Sequence, residues 1–355
     1  MSKGLGTIAI LGSGETSPNL VTVHRELLNK IPKPNAYIID SPFGFQENAD
    51  LLVDKLKKFF NTSIGLNINL ASFRTLDDLN KPNYFKAIKE LEKANFIFAG
   101  PGSPSYASKM WVGNQFENLL KQHLLSGKSA IFASAAAATL GKFTLPVYEI
   151  YKAGYEPYWE DGMSLLNIYN LNCTVIPHFN NREGGNHDTS FSFVGKKRIE
   201  LLIKQNYTNI LGVDEHTALV IDGEKNVFKV HGKGNVTIIN RNEQIVFKPG
   251  SEYKLKLIQD FLDDVDEDLK NLESKTDNQS SLDLEKTIAD LLIEIEYSKK
   301  NNERFEYIIN ELIKLRIQLR NDKKYEISDS IRNLLENANI EISDLKDDIK
   351  WIIKD

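Results

Sequence analysis

Short apolar runs separated by amphipathic stretches fill the first two thirds of the chain, and few folds accommodate such a pattern. "TIAILGSG", "NAYIID", "FIFAGPG", "SAIFASA" and "CTVIPHF" have the length and the Ile, Val and Phe content of buried strands. Most of them end in glycine, proline or polar residues. Between them, "ADLLVDKLKKFFN" and "FENLLKQHLLSG" space their apolar residues as a helix does, and the second ends in glycine. Strand, helix, strand repetition predicts an α/β fold, a parallel sheet with helices on both faces and function gathered at the carboxyl ends of the strands. Gly12 to Glu15, Gly100 to Ser105, Ser134 and His178 all fall there.

The pattern then changes twice. "ILGVDEHTALVID", "NVFKVHGKGNVTIIN" and "EQIVFKPG" are alternating runs with glycine or asparagine turns, expected as hairpins at a sheet edge. From Ser251 the spacing becomes helical, and "SKTDNQSSLD" (Ser274 to Asp283) is polar and serine-rich, as a linker is. The expected domains are therefore 1–273, α/β, and 284–355, a small all-α domain, joined by the linker 274–283. Ile288, Leu291, Leu292 and Ile295 follow the i, i+3, i+4, i+7 rule, and a second helical run covers roughly Arg304 to Arg320.

Composition narrows the function classes. A formal charge of -5 in 355 residues gives no broad basic field for nucleic acid, although a local patch is compatible with it. The single cysteine, Cys173, has no partner for an internal disulfide and sits in an apolar strand, where a thiol packs as a small hydrophobe. No leader and no long apolar span stand out, so the expected location is cytoplasmic. "GSGE" is too short for a dinucleotide fingerprint, and no cofactor is expected.

The stretch "AIFASAAAATLGKF" holds the main chemical question. Ser134 lies between alanines at the end of an apolar run, where an elbow between strand and helix would expose its hydroxyl. A packed helix start with Ser134 as its cap is the alternative. A serine hydroxyl needs a base and oxyanion donors to become a nucleophile. "VIPHFNN" places His178 just past a strand on the same rim, as base. Glu149 in "LPVYEIY" is the candidate carboxylate to orient it, with Glu160 and Asp161 as rivals. The N–H groups of Ala135 and of Gly102, in the turn "AGPGSP", are the candidate oxyanion donors.

Together these residues resemble the cyanophycinase and aspartyl dipeptidase (dipeptidase E) group of serine peptidases, over roughly residues 5 to 240. The resemblance rests on "GSGE", "DSPFGFQENAD", "FAGPGSPSYASK", "FASAAAAT", "IPHFNN" and "GVDEHTALVI", in that order. It implies a class I glutamine amidotransferase-like (flavodoxin-like) fold, with Ser134 as nucleophile, His178 as base and Glu149 as third member. An uncharacterised type 1 glutamine amidotransferase-like branch is similar through "LPVYEIYKAG", "IPHFNNREGGNHDTSFSFVGKKR" and "DEHTAL". The elbow carries serine rather than the cysteine of a true amidotransferase. It also departs from the family in having Ala136 where a glycine is usual.

Other polar residues gather at the same strand ends. Glu15, Ser103, Asn180, Asn181 and Arg182 are candidate substrate-binding residues, Arg182 as a bidentate clamp for a carboxylate. "DEHT", Asp214 to Thr217, helps shape the site or is a polar strand end. His178, His187 and Asp188 match no metal-binding spacing, and no metal is expected.

In the tail, the order of Arg316, Arg320, Lys323, Tyr325, Asp329, Ile331, Arg332, Leu335, Ile340, Asp344 and Trp351 resembles the C-terminal motif of cysteinyl-tRNA synthetases, over about the last 45 residues. That resemblance implies tRNA contact through Arg316, Arg320, Lys323, Lys324, Tyr325 and Arg332. An ion-paired solvated face, or a packing or oligomerisation module, is the alternative. Asn339 and Asp348 stand where the motif usually has glycines, and the "HIGH" and "KMSKS" signatures are absent. The sequence thus predicts hydrolysis of an amide or ester in a small peptide or amino-acid conjugate, tRNA-linked if both halves act together. The alternative is a non-catalytic binding protein whose tail contacts tRNA or a protein partner, without a membrane role.

Overall fold

The computed structural model describes residues 4–241, 243–262, 309, 312, 313, 316, 317, 319, 320, 325–337, 340–345 and 348–353. The chain divides into two compact units, Met1–Leu202 with Thr208–Leu262, and Ile203–Tyr207 with Asp263–Asp355. The expected linker, 274–283, lies outside the described residues, as do the helical positions expected at Ile288 to Ile295.

Up to Leu262 the apolar runs are strands and the amphipathic stretches helices. They follow as β1 (Thr7–Leu11), α1 (Val21–Asn29), β2 (Ala36–Ile39), α2 (Ala49–Phe59), β3 (Asn69–Ala71), α3 (Pro82–Lys93), β4 (Phe96–Ala99), α4 (Pro104–Trp111), α5 (Gln115–Leu125), β5 (Ser129–Ala133) and α6 (Ala135–Ala138). Next come β6 (Phe143–Thr144), α7 (Val147–Tyr151), β7 (Glu160–Asp161), β8 (Thr174–Ile176), α8 (Lys196–Gln205) and β9 (Ile210–Val213). The last strands are β10 (Thr217–Asp222), β11 (Val227–Gly232), β12 (Val236–Ile239), β13 (Gln244–Phe247) and β14 (Glu252–Lys254).

Eight strands form one sheet in the order β14-β11-β10-β1-β5-β4-β2-β3. From β1 to β3 the pairings are parallel, and β10, β11 and β14 extend the sheet in antiparallel fashion. Successive side chains of a strand point to opposite faces. Ile8 and Ile10 accordingly join a core with Leu120 and Leu124 of α5 and Trp111 of α4, while Ala9 and Leu11 join another with Val23 and Leu27 of α1 and Val53 of α2. Both faces are thus closed, and each buried Leu or Ile contributes roughly 1.5–3 kcal/mol. Asn114 caps α5 by accepting from the Phe116 N–H, and Gly127 follows its end at φ 77°.

Two expectations are corrected. The "CTVIPHF" strand is not in the large sheet: β10 occupies the outer edge of β1, and β8 instead pairs in parallel with β9 in a four-stranded sheet, β13-β12-β9-β8. The segment after Ser251 begins as β14 before turning helical.

The described part of the second unit has a helix, Tyr325–Asn337, and then an antiparallel pair, Ile340–Leu345 with Asp348–Ile353, where only helix was expected. Ile340, Ile342, Trp351 and Ile353 recur at every second position, a strand period, and the register sets Ile340 opposite Ile353 and Ile342 opposite Trp351. Of the expected basic face, Arg316 alone departs from the expectation among the described residues. Arg316 is only 1% exposed, Arg320 lies 3.8 Å from Asp329, and Arg332 donates to Glu336 at 2.9 Å. Tyr325 is exposed, and Lys323 and Lys324 lie outside the described residues. Among the described residues no helix is long and apolar enough to cross a membrane.

Candidate active site

The chain leaves β5 through a sharp bend at Ser134, whose φ of 51° and ψ of -116° are unfavourable for a residue with a side chain. The surroundings hold it there: the Ser134 N–H donates to Leu11 O at the end of β1 (3.0 Å), and its carbonyl accepts from the Ala138 N–H (3.1 Å). Ser134 occupies the cap position of α6, yet its hydroxyl makes no capping bond. Instead Ser134 Oγ meets His178 Nε2 at 2.9 Å. Ala136 is fully buried, has no positive φ, and donates through its N–H to Gly100 O at 3.4 Å. The glycine usual there is therefore not required by backbone conformation in this chain.

His178 follows β8 and also has a positive φ, 47°. Its N–H donates to Gly12 O (3.3 Å), and its carbonyl accepts from the N–H groups of Asn181 (3.1 Å) and Ser192 (3.3 Å). The Phe193 ring lies 5.5 Å from the imidazole. On the far side His178 Nδ1 meets Glu215 Oε1 at 2.9 Å. A carboxylate can only accept, so Nδ1 carries the hydrogen and Nε2 is left as acceptor for the Ser134 hydroxyl.

Glu215, not Glu149, is thus the carboxylate at the histidine. The parallel register of β8 and β9 sets Ile176 against Gly212, which brings His178 level with the Asp214–Glu215 corner. Asn181, 1% exposed, donates through Nδ2 to the same Oε1 at 2.9 Å, and Asn180 Oδ1 accepts from the Glu215 N–H at 2.8 Å. Both asparagines, expected to bind substrate, hydrogen-bond to Glu215. The hydrogen bond from His178 keeps the Glu215 carboxyl below the usual carboxylate range against the opposing effect of burial. Glu149, in α7, is turned to Ser105, whose hydroxyl donates to its Oε1 at 2.5 Å. The rivals Glu160 and Asp161 form β7, opposite β6, and burial raises the Glu160 pKa.

The two expected oxyanion donors have suitable backbones. The Ala135 N–H is at the first position of α6, where a helix offers no acceptor of its own. Gly102 has φ 152°, and a Cβ on it would lie 1.9 Å from Pro42 O, so only glycine fits against that carbonyl. Gly12 packs as closely, since a Cβ there would lie 2.1 Å from Asp214 O.

Cavities flank the glycine turn on two sides. One, of about 550 Å³, is lined by Ser103, Ser105, Glu149, Tyr106, Lys109 and Lys152 among others. Its Ser103 hydroxyl, 3.0 Å from that of Ser105, also accepts the Tyr106 N–H as the cap of α4. The other, of about 440 Å³, is lined by Glu15, Phe43, Phe59 and Pro101 among others. Burial raises the Glu15 pKa, an effect eased by its own N–H and by His178 and His216 nearby. Arg182 is exposed, and its charge favours ionised Asp214. His187 stacks on Tyr151, and Asp188 accepts from Ser190 and from the Lys196 N–H. Cys173 is buried, which pushes its thiol up to about 12.

Fold and site define a class: an α/β protein with a serine, histidine and carboxylate in hydrogen-bonded series at the strand ends. Among solved structures the fold is similar to that of a peptidase from an acI-B1 Actinobacterium, with a TM-score of 0.58 and 20% identity over 72% of this chain and 98% of that one. A protein provisionally assigned as a peptidase E from Listeria monocytogenes EGD-e matches with a TM-score of 0.44 and 15% identity over 70% of this chain and 100% of that one. No family model and no curated protein matches the chain.

Proposed function

We propose that the protein is a serine hydrolase that cleaves an amide or ester bond in a small peptide or amino-acid conjugate. The observation that carries this reading is the unbroken series Ser134 Oγ, His178 Nε2, His178 Nδ1 and Glu215 Oε1, linked at 2.9 Å and 2.9 Å, with the serine on a strained elbow. In the proposed reaction Ser134 Oγ attacks the substrate carbonyl while His178 Nε2 takes its proton, and Glu215 stabilises the resulting imidazolium. The N–H groups of Gly102 and Ala135 hold the oxyanion. His178 then returns the proton to the leaving nitrogen or oxygen as the scissile bond breaks, leaving an acyl-serine. Water, deprotonated by His178, attacks the acyl-serine and restores the hydroxyl.

Substrate binding belongs to the cavities beside Gly102, through Ser103 on one side and Glu15 on the other. The fold shared with a protein described as a peptidase supports a peptide-like amide as the first substrate class to screen. The test is a fluorophosphonate probe applied to the purified protein and to Ser134→Ala, with the adduct located by mass spectrometry. A single adduct on Ser134, lost in the variant, is expected. A folded wild-type protein that stays unlabelled beside a reactive control overturns the reading.

A further inference from the structure

The turn that carries Gly102 leans on another turn, and that second turn is held by charge. Asp40 directly follows β2, and its side chain is fully buried. Asp40 Oδ2 accepts from Arg74 Nε at 2.7 Å and from Ser72 Oγ at 2.7 Å. Directly after Asp40, Ser41–Phe43 make one 3-10 turn, in which the Phe43 N–H donates back to Asp40 O at 3.2 Å. Pro42 O, at the centre of this turn, accepts the Ser103 N–H at 2.9 Å and is the atom that a Cβ on Gly102 would strike.

Arg74 also holds the helix that follows Gly102. Its backbone carbonyl accepts the Tyr106 hydroxyl at 2.6 Å, and Tyr106 stands in α4, just after the glycine turn. A Cβ on Gly44 would lie 2.7 Å from Arg74 Cα, so the 41–44 segment packs directly on Arg74. The guanidinium reaches on to Asp50 Oδ1 at 2.7 Å, and the Arg74 N–H donates to Asp78 at 2.9 Å. Burying a carboxylate and its partner is costly unless both are well bonded. Among the described residues Asp40 Oδ2 takes both donors, from Arg74 and Ser72.

On the hydrolase reading above, we infer that the Asp40–Arg74 pair is a positioning device for the Gly102 N–H, fixing Pro42 on one side and Tyr106 on the other. Neither residue is a catalytic residue: both act through Gly102. A displaced oxyanion donor weakens transition-state binding more than ground-state binding. Losing one such donor outright costs about 10²–10³ in rate, so a donor left present but out of place costs about tenfold or more.

The experiment measures fluorophosphonate labelling of Ser134 as a maximal rate and a half-saturating concentration, in Asp40→Asn, Arg74→Ala and Arg74→Lys, with thermal melting of each. Asp222→Asn serves as control, since it breaks the Lys30–Asp222 pair (2.8 Å) that joins α1 to the end of β10. The expected result is a maximal rate at least tenfold lower in Asp40→Asn and Arg74→Ala, a half-saturating concentration within about twofold, and partial recovery in Arg74→Lys. The control should lose melting temperature and keep its rate. Folded variants that label at the wild-type rate, or losses that merely track melting temperature as in the control, overturn the inference while leaving the serine reading intact. Unlabelled wild type overturns both.

Discussion

Glu215→Gln separates the charge of the third residue from its geometry. Oε1 of Glu215 accepts from both His178 Nδ1 and Asn181 Nδ2 at 2.9 Å, so a glutamine must place its oxygen, not its NH₂, at that shared point. The histidine tautomer then survives, and the variant loses only the attraction between carboxylate and imidazolium. With charge centres about 4 Å apart, that attraction lies between about 1 kcal/mol in water and about 4 kcal/mol at a dielectric of 20. The side chains of His178 and Glu215 are 20% and 26% exposed, which favours the middle of the range. About 2–3 kcal/mol corresponds to labelling of Ser134 roughly 30- to 160-fold slower. Glu215→Ala also strips two buried donors of their acceptor and should cost about 10³-fold or more. The assay is the second-order rate of fluorophosphonate labelling, with circular dichroism to confirm folding. Glu149→Gln, whose carboxyl meets Ser105, should stay within about threefold of wild type. A wild-type rate in Glu215→Gln, or a larger loss in Glu149→Gln, refutes the assignment.

Further outcomes follow from other residues. His24 and His123 are buried, and burial pulls each down to about 4 from an ordinary value of 6.5. Between about pH 4 and 6.5 the unfolded chain therefore binds protons that the folded chain refuses. Their stabilising effect is complete above the unfolded value and is lost as pH falls through this window, at up to roughly 1.4 kcal/mol per pH unit each. Denaturant titrations at pH 7.5 and 5.0 should show the loss, and His123→Gln should roughly halve the slope; a flat profile contradicts the burial argument. Ala136→Gly, which introduces the glycine usual in the peptidase group that the sequence resembles, should cost about 1 kcal/mol of stability because Ala136 is helical, with labelling unchanged. Faster labelling in that variant would mean that the methyl group displaces Ser134.

Much of this arrangement is legible in the order of residues. Ser134 and His178 each follow an apolar run, and strands ending on one rim bring them together across 44 positions. Glu215 obeys the same rule, since it follows "ILGV", but nearness in sequence favoured Glu149. The deciding fact is the pairing of β8 with β9, which depends on β10 filling the edge of β1. Asn180 and Asn181 read as ligand-binding because a polar loop residue carries no mark of its partner. The tail hairpin was legible as a period of two but was overridden by the helical pattern before it. Arg316 illustrates the converse: helical spacing fixes which residues share a face, not which face is covered.

One feature of the architecture reaches beyond any single residue. On the hydrolase reading proposed above, the nucleophile Ser134 follows a strand of the eight-stranded sheet, and the base His178 and the carboxylate Glu215 follow strands of the four-stranded one, with the end of β1 bonded to both, through Leu11 O to Ser134 and Gly12 O to His178. The reactive distance is therefore a gauge of how the sheets are seated: a slip of about an ångström between them would disconnect the proton path with every hydrogen bond inside each sheet still made. Heat or denaturant should silence such a molecule before its secondary structure melts, and a ligand that wedges the sheets apart would inhibit it without touching the serine.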